Sequence, residues 1–281
     1  MSLTHPSILD HASTWQLEQA AACNHTELFC RNAVARGGEV RVMDAITYTY
    51  EGVDHQSMIA FPSLQEWVAD EQLDEMMRWY AIRPNRGLGC WSLDPPRPAD
   101  LGVRLKARGF QDGWRPCWMG LDMSGPAGLG PAAEGYTGLG GGEVTVPVGV
   151  EIKADNGMSL LDVKDLPYTG RHGAISPELL QRHPELAHQF IAILKGKIVG
   201  HCTALFTTGE YGVTGIYDVA VVPSARGKGI GKTLVLAACR KAKDNGFRYA
   251  VLNATGQHMY EQIGFQWISD GFTWWWFPKN S

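Results

Sequence analysis

The stretch Val219–Asn245 constrains the fold more than any other part of the chain. An apolar, β-branched run carrying Val219, Val221 and Val222 stops at Pro223, which reads as a buried strand reaching its end. A short loop follows, with glycines at Gly227, Gly229 and Gly231. Beyond it Ile230, Leu234, Ala237, Ala238 and Ala242 recur at helical spacing, and Asn245-Gly246 supplies a C-terminal cap. A strand, a glycine loop and a helix N-terminus together make a phosphate-binding surface. The first-turn N–H groups lack partners inside the helix, the helix dipole adds partial positive charge, and glycines let an anion reach the backbone. Arg226, Lys228 and Lys232 add full positive charges.

Two nucleotide-binding patterns fail here. A Walker A loop fits at Gly231-Lys232-Thr233, but its first glycine position holds Arg226. A dinucleotide fingerprint needs a third glycine, and Lys232 or Leu234 stands there instead. The pattern that fits is Arg-x-x-Gly-x-Gly on Arg226, Gly229 and Gly231, followed about thirty residues later by Tyr260-Glu261-Gln262-Ile263-Gly264-Phe265. On these two motifs, in this order, the chain resembles the GNAT superfamily of acyl-CoA-dependent N-acetyltransferases. The resemblance covers residues 148–281. It implies that Arg226, Gly227, Lys228, Gly229, Ile230, Gly231 and Lys232 cradle the diphosphate of coenzyme A, that acetyl-CoA is the co-substrate, and that no metal takes part.

Charge is divided unevenly. Residues 148–281 carry 14 Lys and Arg against 11 Asp and Glu, and residues 1–147 carry 11 against 18. The half with the glycine loop is therefore the basic half, as an anionic co-substrate favours, yet neither half is basic enough to suggest nucleic acid. The six cysteines form no CxxC pair and no zinc or disulfide framework. No apolar run approaches membrane-spanning length and the N-terminus lacks a signal pattern, so no membrane partner and a cytoplasmic protein, monomer or homodimer, are expected.

The organisation expected is α/β, a mixed sheet with helices, in two halves. Residues 124–142 hold eight glycines and two prolines, a composition unable to bury a core, so 124–147 reads as a linker. Residues 148–281 order their elements as a GNAT-like fold. Phe190–Leu194 and Ile198–Phe206 flank Lys195-Gly196 as a hairpin, and Phe265–Ile268 and Phe272–Phe277 flank Asp270-Gly271 as another. In residues 1–123, Trp15–Arg36 reads as a helix and Val40–Tyr50 as a strand. Ser63-Leu64-Gln65-Glu66 reads as a capping box, with Phe61 stapled near Trp67. Leu93, Leu105 and Gly109-Phe110 echo Leu252, Tyr260 and Gly264-Phe265. The first half thus resembles a smaller, degenerate GNAT-like half without a phosphate loop.

For the chemistry, the resemblance implies direct attack of a small-molecule amine on the acetyl thioester. Backbone N–H groups of Val219, Ala220 and Val221 would face the thioester where their strand splays from Tyr249–Leu252, and Asn253 would bind cofactor or a water. Tyr260 matches the family tyrosine that can protonate the departing thiolate. Asp218 is the candidate general base, turned by strand alternation opposite Val219, with His201 and His258 behind it. Trp274-Trp275-Trp276 alternates faces and reads as core, or as an aromatic wall for a cationic acceptor. A CoA-binding sensor or interaction module without catalysis keeps the same loop and differs at Tyr260 and the acceptor pocket.

Overall fold

The computed structural model describes residues 8–124, 146–160, 163 and 165–278. The stretch 124–147, expected to be a linker, lies almost wholly outside them. In chain order the elements begin with α1 (Thr14–Ala35), β1 (Glu39–Met43), β2 (Ile46–Tyr50), β3 (Ser57–Ala60), α2 (Ala69–Ala81), β4 (Leu88–Leu93) and α3 (Leu101–Ala107). Then come β5 (Gln111–Asp112), β6 (Cys117–Asp122), β7 (Val150–Asp155), α4 (Pro177–Arg182), β8 (Ala187–Leu194) and β9 (Lys197–Phe206). The chain ends with β10 (Thr214–Val221), α5 (Ile230–Asp244), β11 (Tyr249–Asn253), α6 (Gln257–Glu261) and β12 (Gln266–Trp276).

The chain forms two compact units, and their boundaries correct the expected division into 1–123 and 148–281. One unit is Met1–Asn24 with Trp118–Ile268, and the other is His25–Cys117 with Ser269–Ser281. Each unit finishes its sheet with the strand that ends the other half of the sequence. In the first, β11 pairs antiparallel with β6. In the second, β4 pairs antiparallel with the Gly271–Trp276 part of β12.

The first unit's strands run in the order β6-β11-β10-β9-β8-β7, and β10 with β11 is its parallel pair. The β8–β9 hairpin turns on Lys195 (φ 51°) and Gly196 (φ 74°), the two left-handed residues a tight two-residue turn needs. Helix α5 buries Ile230, Leu234, Val235, Ala238, Cys239 and Ala242 and packs on β8, β9 and β10. At roughly 1.5–3 kcal/mol per fully buried large aliphatic, that face rather than helix propensity stabilises α5. Its C-terminus closes as expected: Gly246 has φ 87° and the Phe247 N–H donates to Ala242 O at 3.1 Å. Ser176 caps α4, its Oγ accepting from Leu179 N at 3.1 Å. Beside these, β10 runs close to α1. A Cβ at Gly215 would sit 1.9 Å from Asn24 Oδ1, so only glycine fits, and Asn24 Nδ2 donates to Leu205 O at 3.1 Å.

In the second unit the order is β1-β2-β3-β4-β12, with β5 paired to β12 and β3 parallel to β4. Its core joins Tyr48, Ile59, Leu73, Met76, Leu88 and Trp274. Trp274 and Trp276 meet this core, while Trp275 lies over Gly89 on the other face, so the alternation holds and the triplet is packing. Three local expectations fail. Val40–Tyr50 is a hairpin, β1 and β2, closed through Met43 and Ile46. Ser63–Glu66 caps nothing: α2 starts at Ala69 with Val68 at its N-cap and no side-chain cap bond, and Trp67 is 81% exposed. Asp270-Gly271 lies inside β12 rather than at a turn. Asp270 O accepts from Asp94 N at 3.0 Å and Gly271 N donates to Pro116 O at 2.9 Å, so neighbouring chain takes the groups a turn would use.

The echo between the halves has a structural counterpart. In each unit a strand, a helix and a parallel strand are followed by a short helix closed by a left-handed glycine. Gly109 has φ 90° and Phe110 N donates to Leu105 O at 3.2 Å; Gly264 has φ 108° and Phe265 N donates to Tyr260 O at 3.1 Å.

Candidate active site

The site is built where a parallel pair comes apart. Strands β10 and β11 pair through Thr214–Ala250, Gly215–Val251 and Ile216–Leu252, and pairing stops there. At that point β10 bulges: its register against β9 shifts between Tyr217 and Ala220, and Asp218 adopts φ 53°. The bulge adds residues to one strand and turns it away from its neighbour. Val219, Ala220 and Val221 therefore run on beside β9 alone, with Val222 N bonded to Val199 O at 2.8 Å.

The glycine loop follows directly. Pro223–Ala225 makes one 3-10 turn, and Arg226 Nε donates back to Val221 O at 3.0 Å, tying the loop to the strand end. Gly227 (φ 73°) and Gly229 (φ 77°) are left-handed, and Gly229 is the N-cap of α5. A Cβ on Gly227 would meet nothing within 4 Å, and one on Gly229 would meet Pro147 Cγ only at 3.8 Å. The glycines thus border open space, and the N–H groups of Ile230, Gly231 and Lys232 stand in the first turn of α5, which has no carbonyl to offer them. Arg226 and Lys228 are exposed at this mouth. Lys232, also expected to add positive charge here, is only 9% exposed, and burial lowers the pKa of its ammonium. Beside the loop a groove of about 920 Å³ is lined by Arg226, Ser224, Lys197, Val199, Ile198 and Pro167.

Asn253 ends β11 opposite Trp118, and its Oδ1 is buried with no hydrogen-bond partner among the described residues. Such an atom awaits a donor from water or ligand. A donor-rich glycine cradle, two exposed cations and this orphaned acceptor fit a diphosphate carrying an amide-bearing arm, as coenzyme A does.

Tyr260 sits on α6, 7% exposed, with its ring 5.9 Å from that of Phe265. The motif glycine is explained by the cap: the Gly264 and Phe265 N–H groups both donate to Tyr260 O at 3.1 Å, which requires the left-handed Gly264. Among the described residues the Tyr260 hydroxyl has no hydrogen-bond partner. Burial first, then Cys202 and Tyr168 nearby, push its pKa up, so it stays protonated at neutral pH.

Asp218 is not placed as the sequence suggested. The bulge breaks the alternation on which that reading depended, and the carboxylate is occupied. Its Oδ1 accepts from Ala174 N at 2.8 Å, and its Oδ2 from Ile175 N at 3.2 Å and Thr203 Oγ1 at 2.9 Å. Burial raises its pKa, opposed by these bonds and by His201. His201 is fully buried; burial lowers its pKa, and Nε2 donates to Pro167 O at 2.7 Å, leaving Nδ1 as a buried acceptor without partner among the described residues. His258 lies on the exposed face of α6. Thr203, Pro167, Ala174 and Ile175 were not legible as site residues, because only the bulge brings them to Asp218. Among the described residues no group of three His, Cys, Asp or Glu could hold a metal ion, and no helix is long and apolar enough to cross a membrane.

The splayed parallel pair with a glycine loop at the following helix is the arrangement that the resemblance to the acetyltransferases implied. Residues 159–265 match the model of the Acetyltransferase (GNAT) family. A glucosamine 6-phosphate N-acetyltransferase of Trypanosoma brucei brucei is 35% identical over 77 residues, covering 25% of this chain and 52% of that protein. The chain thus spans about half the length of the curated relative it matches. Among solved structures, a GCN5-related N-acetyltransferase from Kribbella flavida superposes with a TM-score of 0.65 at 15% identity, over 92% of this chain and 96% of that one. A GCN5-related N-acetyltransferase from Sphaerobacter thermophilus gives 0.52 at 15% identity, over 99% and 97%. A tandem GNAT protein from the clavulanic acid biosynthesis pathway gives 0.53 at 15%, over 84% and 79%. At these identities the likeness is one of fold.

Proposed function

We propose that this protein is an acetyl-CoA-dependent N-acetyltransferase acting on a primary amine of a small molecule. The observation that carries the reading is the break in the β10–β11 pair immediately before a left-handed glycine loop, inside the segment that matches the acetyltransferase family model. Arg226, Lys228 and the amides from Gly227 to Lys232 would hold the diphosphate. The Val219–Val221 backbone and Asn253 would hold the pantetheine arm, the backbone N–H groups also facing the thioester oxygen. Acetyl-CoA supplies the activated acetyl group.

In this reading the amine nitrogen forms the new C–N bond as the C–S bond breaks. Tyr260 gives its phenolic proton to the departing sulfur and recovers one from solvent, and the nitrogen loses its extra proton to water. Donors preorganised in this cleft would supply a few kcal/mol of this barrier lowering. The trypanosomal relative is named for an amino-sugar phosphate, and an amino sugar is the first acceptor to try. The test is release of free thiol from acetyl-CoA across a panel of amino sugars, polyamines, aminoglycosides and peptide N-termini. Turnover on one small amine supports the reading. Tight binding of CoA with no turnover on any amine, and no effect of Tyr260→Phe, would instead identify a sensor.

A further inference from the structure

We infer that Asp218 is a positioning residue. Its carboxylate locks the β10 bulge to the 165–176 segment and thereby sets the backbone that faces the thioester, without itself accepting the amine's proton. This rests on the acetyl-transfer reading above.

The geometry is a clamp with two pins. Strand β9 flanks the bulge with Thr203, opposite Tyr217, and His201, opposite Ala220. These residues are two apart, so both project to one face. From that face His201 Nε2 donates to Pro167 O, and Thr203 Oγ1 donates to the Asp218 carboxylate, which in turn receives Ala174 N and Ile175 N. Both pins end on the same segment. That segment carries strain of its own, with Asp165 at φ 62° and Tyr168 at φ 59°. It also leaves no slack: a Cβ at Gly173 would lie 3.0 Å from Tyr168 O and 3.5 Å from Asp218 Oδ2. A non-glycine residue in the left-handed region persists only where its surroundings hold it there. For Asp218 the holding bonds are its own carboxylate's. Half-exposed Tyr168 lies within electrostatic reach of Tyr260, so the pinned segment borders the place where the thiolate departs.

A general base must offer a free lone pair to the amine. Both Asp218 oxygens already receive donors, one of them two, so three of the carboxylate's roughly four acceptor positions are taken by the clamp and one, on Oδ1, is left. The distinction is testable by comparing wild type with Asp218→Asn, Thr203→Val and Thr203→Ser. Two readouts are needed: amide exchange at Ala174 and Ile175, and kcat, KM and their pH dependence with the best acceptor of the panel.

Asparagine places an NH2 where an oxygen accepted, so exchange at Ala174 or Ile175 should accelerate about tenfold, as expected for one lost hydrogen bond in a local opening. The kcat should fall about 10- to 100-fold, as a misplaced backbone costs, with CoA affinity within about twofold of wild type because the glycine loop is untouched. The acid limb of the kcat/KM profile should stay in place. Thr203→Val, which removes a single hydroxyl and no base, should reproduce part of the loss without moving that limb, and Thr203→Ser should restore it. If Asp218→Asn does not fold, Thr203→Val carries the same comparison.

The inference is overturned if both amides keep wild-type exchange in Asp218→Asn and in Thr203→Val. It is also overturned if Asp218→Asn abolishes the acid limb or Thr203→Val shifts it upward. If wild type acetylates no amine, the acetyl-transfer reading fails, and the exchange at Ala174 and Ile175 still decides the clamp.

Discussion

Replacing Gly229 by valine separates the two things this residue does. Its φ of 77° is left-handed, and a β-branched residue there costs about 1–2 kcal/mol of backbone strain. No clash adds to this, because the nearest atom to an added Cβ is Pro147 Cγ at 3.8 Å. For a chain of this size the melting temperature should fall by about 2–8 °C, with the fold kept. Binding should suffer far more. The valine methyls would stand in the open mouth of the loop, where an anion must approach the amides at the start of α5. Losing two charge-assisted hydrogen bonds at roughly 1.5–3 kcal/mol each weakens CoA by about 10²- to 10⁴-fold. Gly231→Val is the companion variant: its backbone φ is ordinary, its Cβ would press Met259 Sδ at 3.2 Å, and it should also weaken binding. Titration calorimetry with CoA, beside thermal melts, reads both effects. Wild-type affinity in both variants, with the expected drop in melting temperature, would refute the assignment of this loop.

Tyr260→Phe should leave CoA affinity within about twofold and lower kcat by about 10²-fold, the scale of one general-acid contribution; equal loss in affinity and turnover would mark the tyrosine as packing. A pH prediction comes from His25, whose pKa burial lowers to about 3. It is neutral in the fold, while the unfolded chain takes a proton below about 6.5, so stability is present above that pH and is lost as pH falls through it. Between pH 7.5 and 5 this one group should remove about 2 kcal/mol. His25→Phe keeps a ring beside Phe29 and Trp91 and should flatten that slope in urea titrations; an unchanged slope contradicts the assignment.

What was legible in the sequence was legible for local reasons. Helix α5 announces itself by a 3.6-residue apolar stripe and by Asn245-Gly246, because cap and stripe lie within one short window. The β8–β9 hairpin was readable from Lys195-Gly196, since the turn needs two left-handed residues in a row. The same logic misread Asp270-Gly271, where Asp94 and Pro116, far away in sequence, take the backbone groups and keep the strand straight. It misread Asp218 for the same reason: a bulge is a relation between two strands, and no periodicity within β10 reports it. The exchange of closing strands was invisible as well, because β6 and β12 carry ordinary strand composition and nothing in either says which half it will join.

The second unit tests whether topology alone makes a phosphate site. Its β3-to-α2 connection occupies the place that the glycine loop holds between β10 and α5, since both link a strand through a helix to a parallel neighbour. There the chain's own carbonyls take the donors: Phe61 N bonds to Trp91 O, Ser63 N to Ala45 O, Leu64 N to Arg97 O and Val68 N to Gln65 O, while Pro62 has no donor. The first turn of α2 carries Asp70 and Glu71 where α5 has no acidic residue, so a helix dipole that would draw an anion is already answered by carboxylates. A diphosphate there would meet Asp70 and Glu71 at the helix start and a loop whose Phe61, Ser63, Leu64 and Val68 amides are already bonded. One chain should therefore bind one coenzyme A in calorimetry. A second equivalent of comparable affinity, surviving Gly229→Val, would show that the parallel strand–helix link suffices without the glycines, and open amides would no longer be the ground for assigning an anion to the Gly227–Lys232 loop.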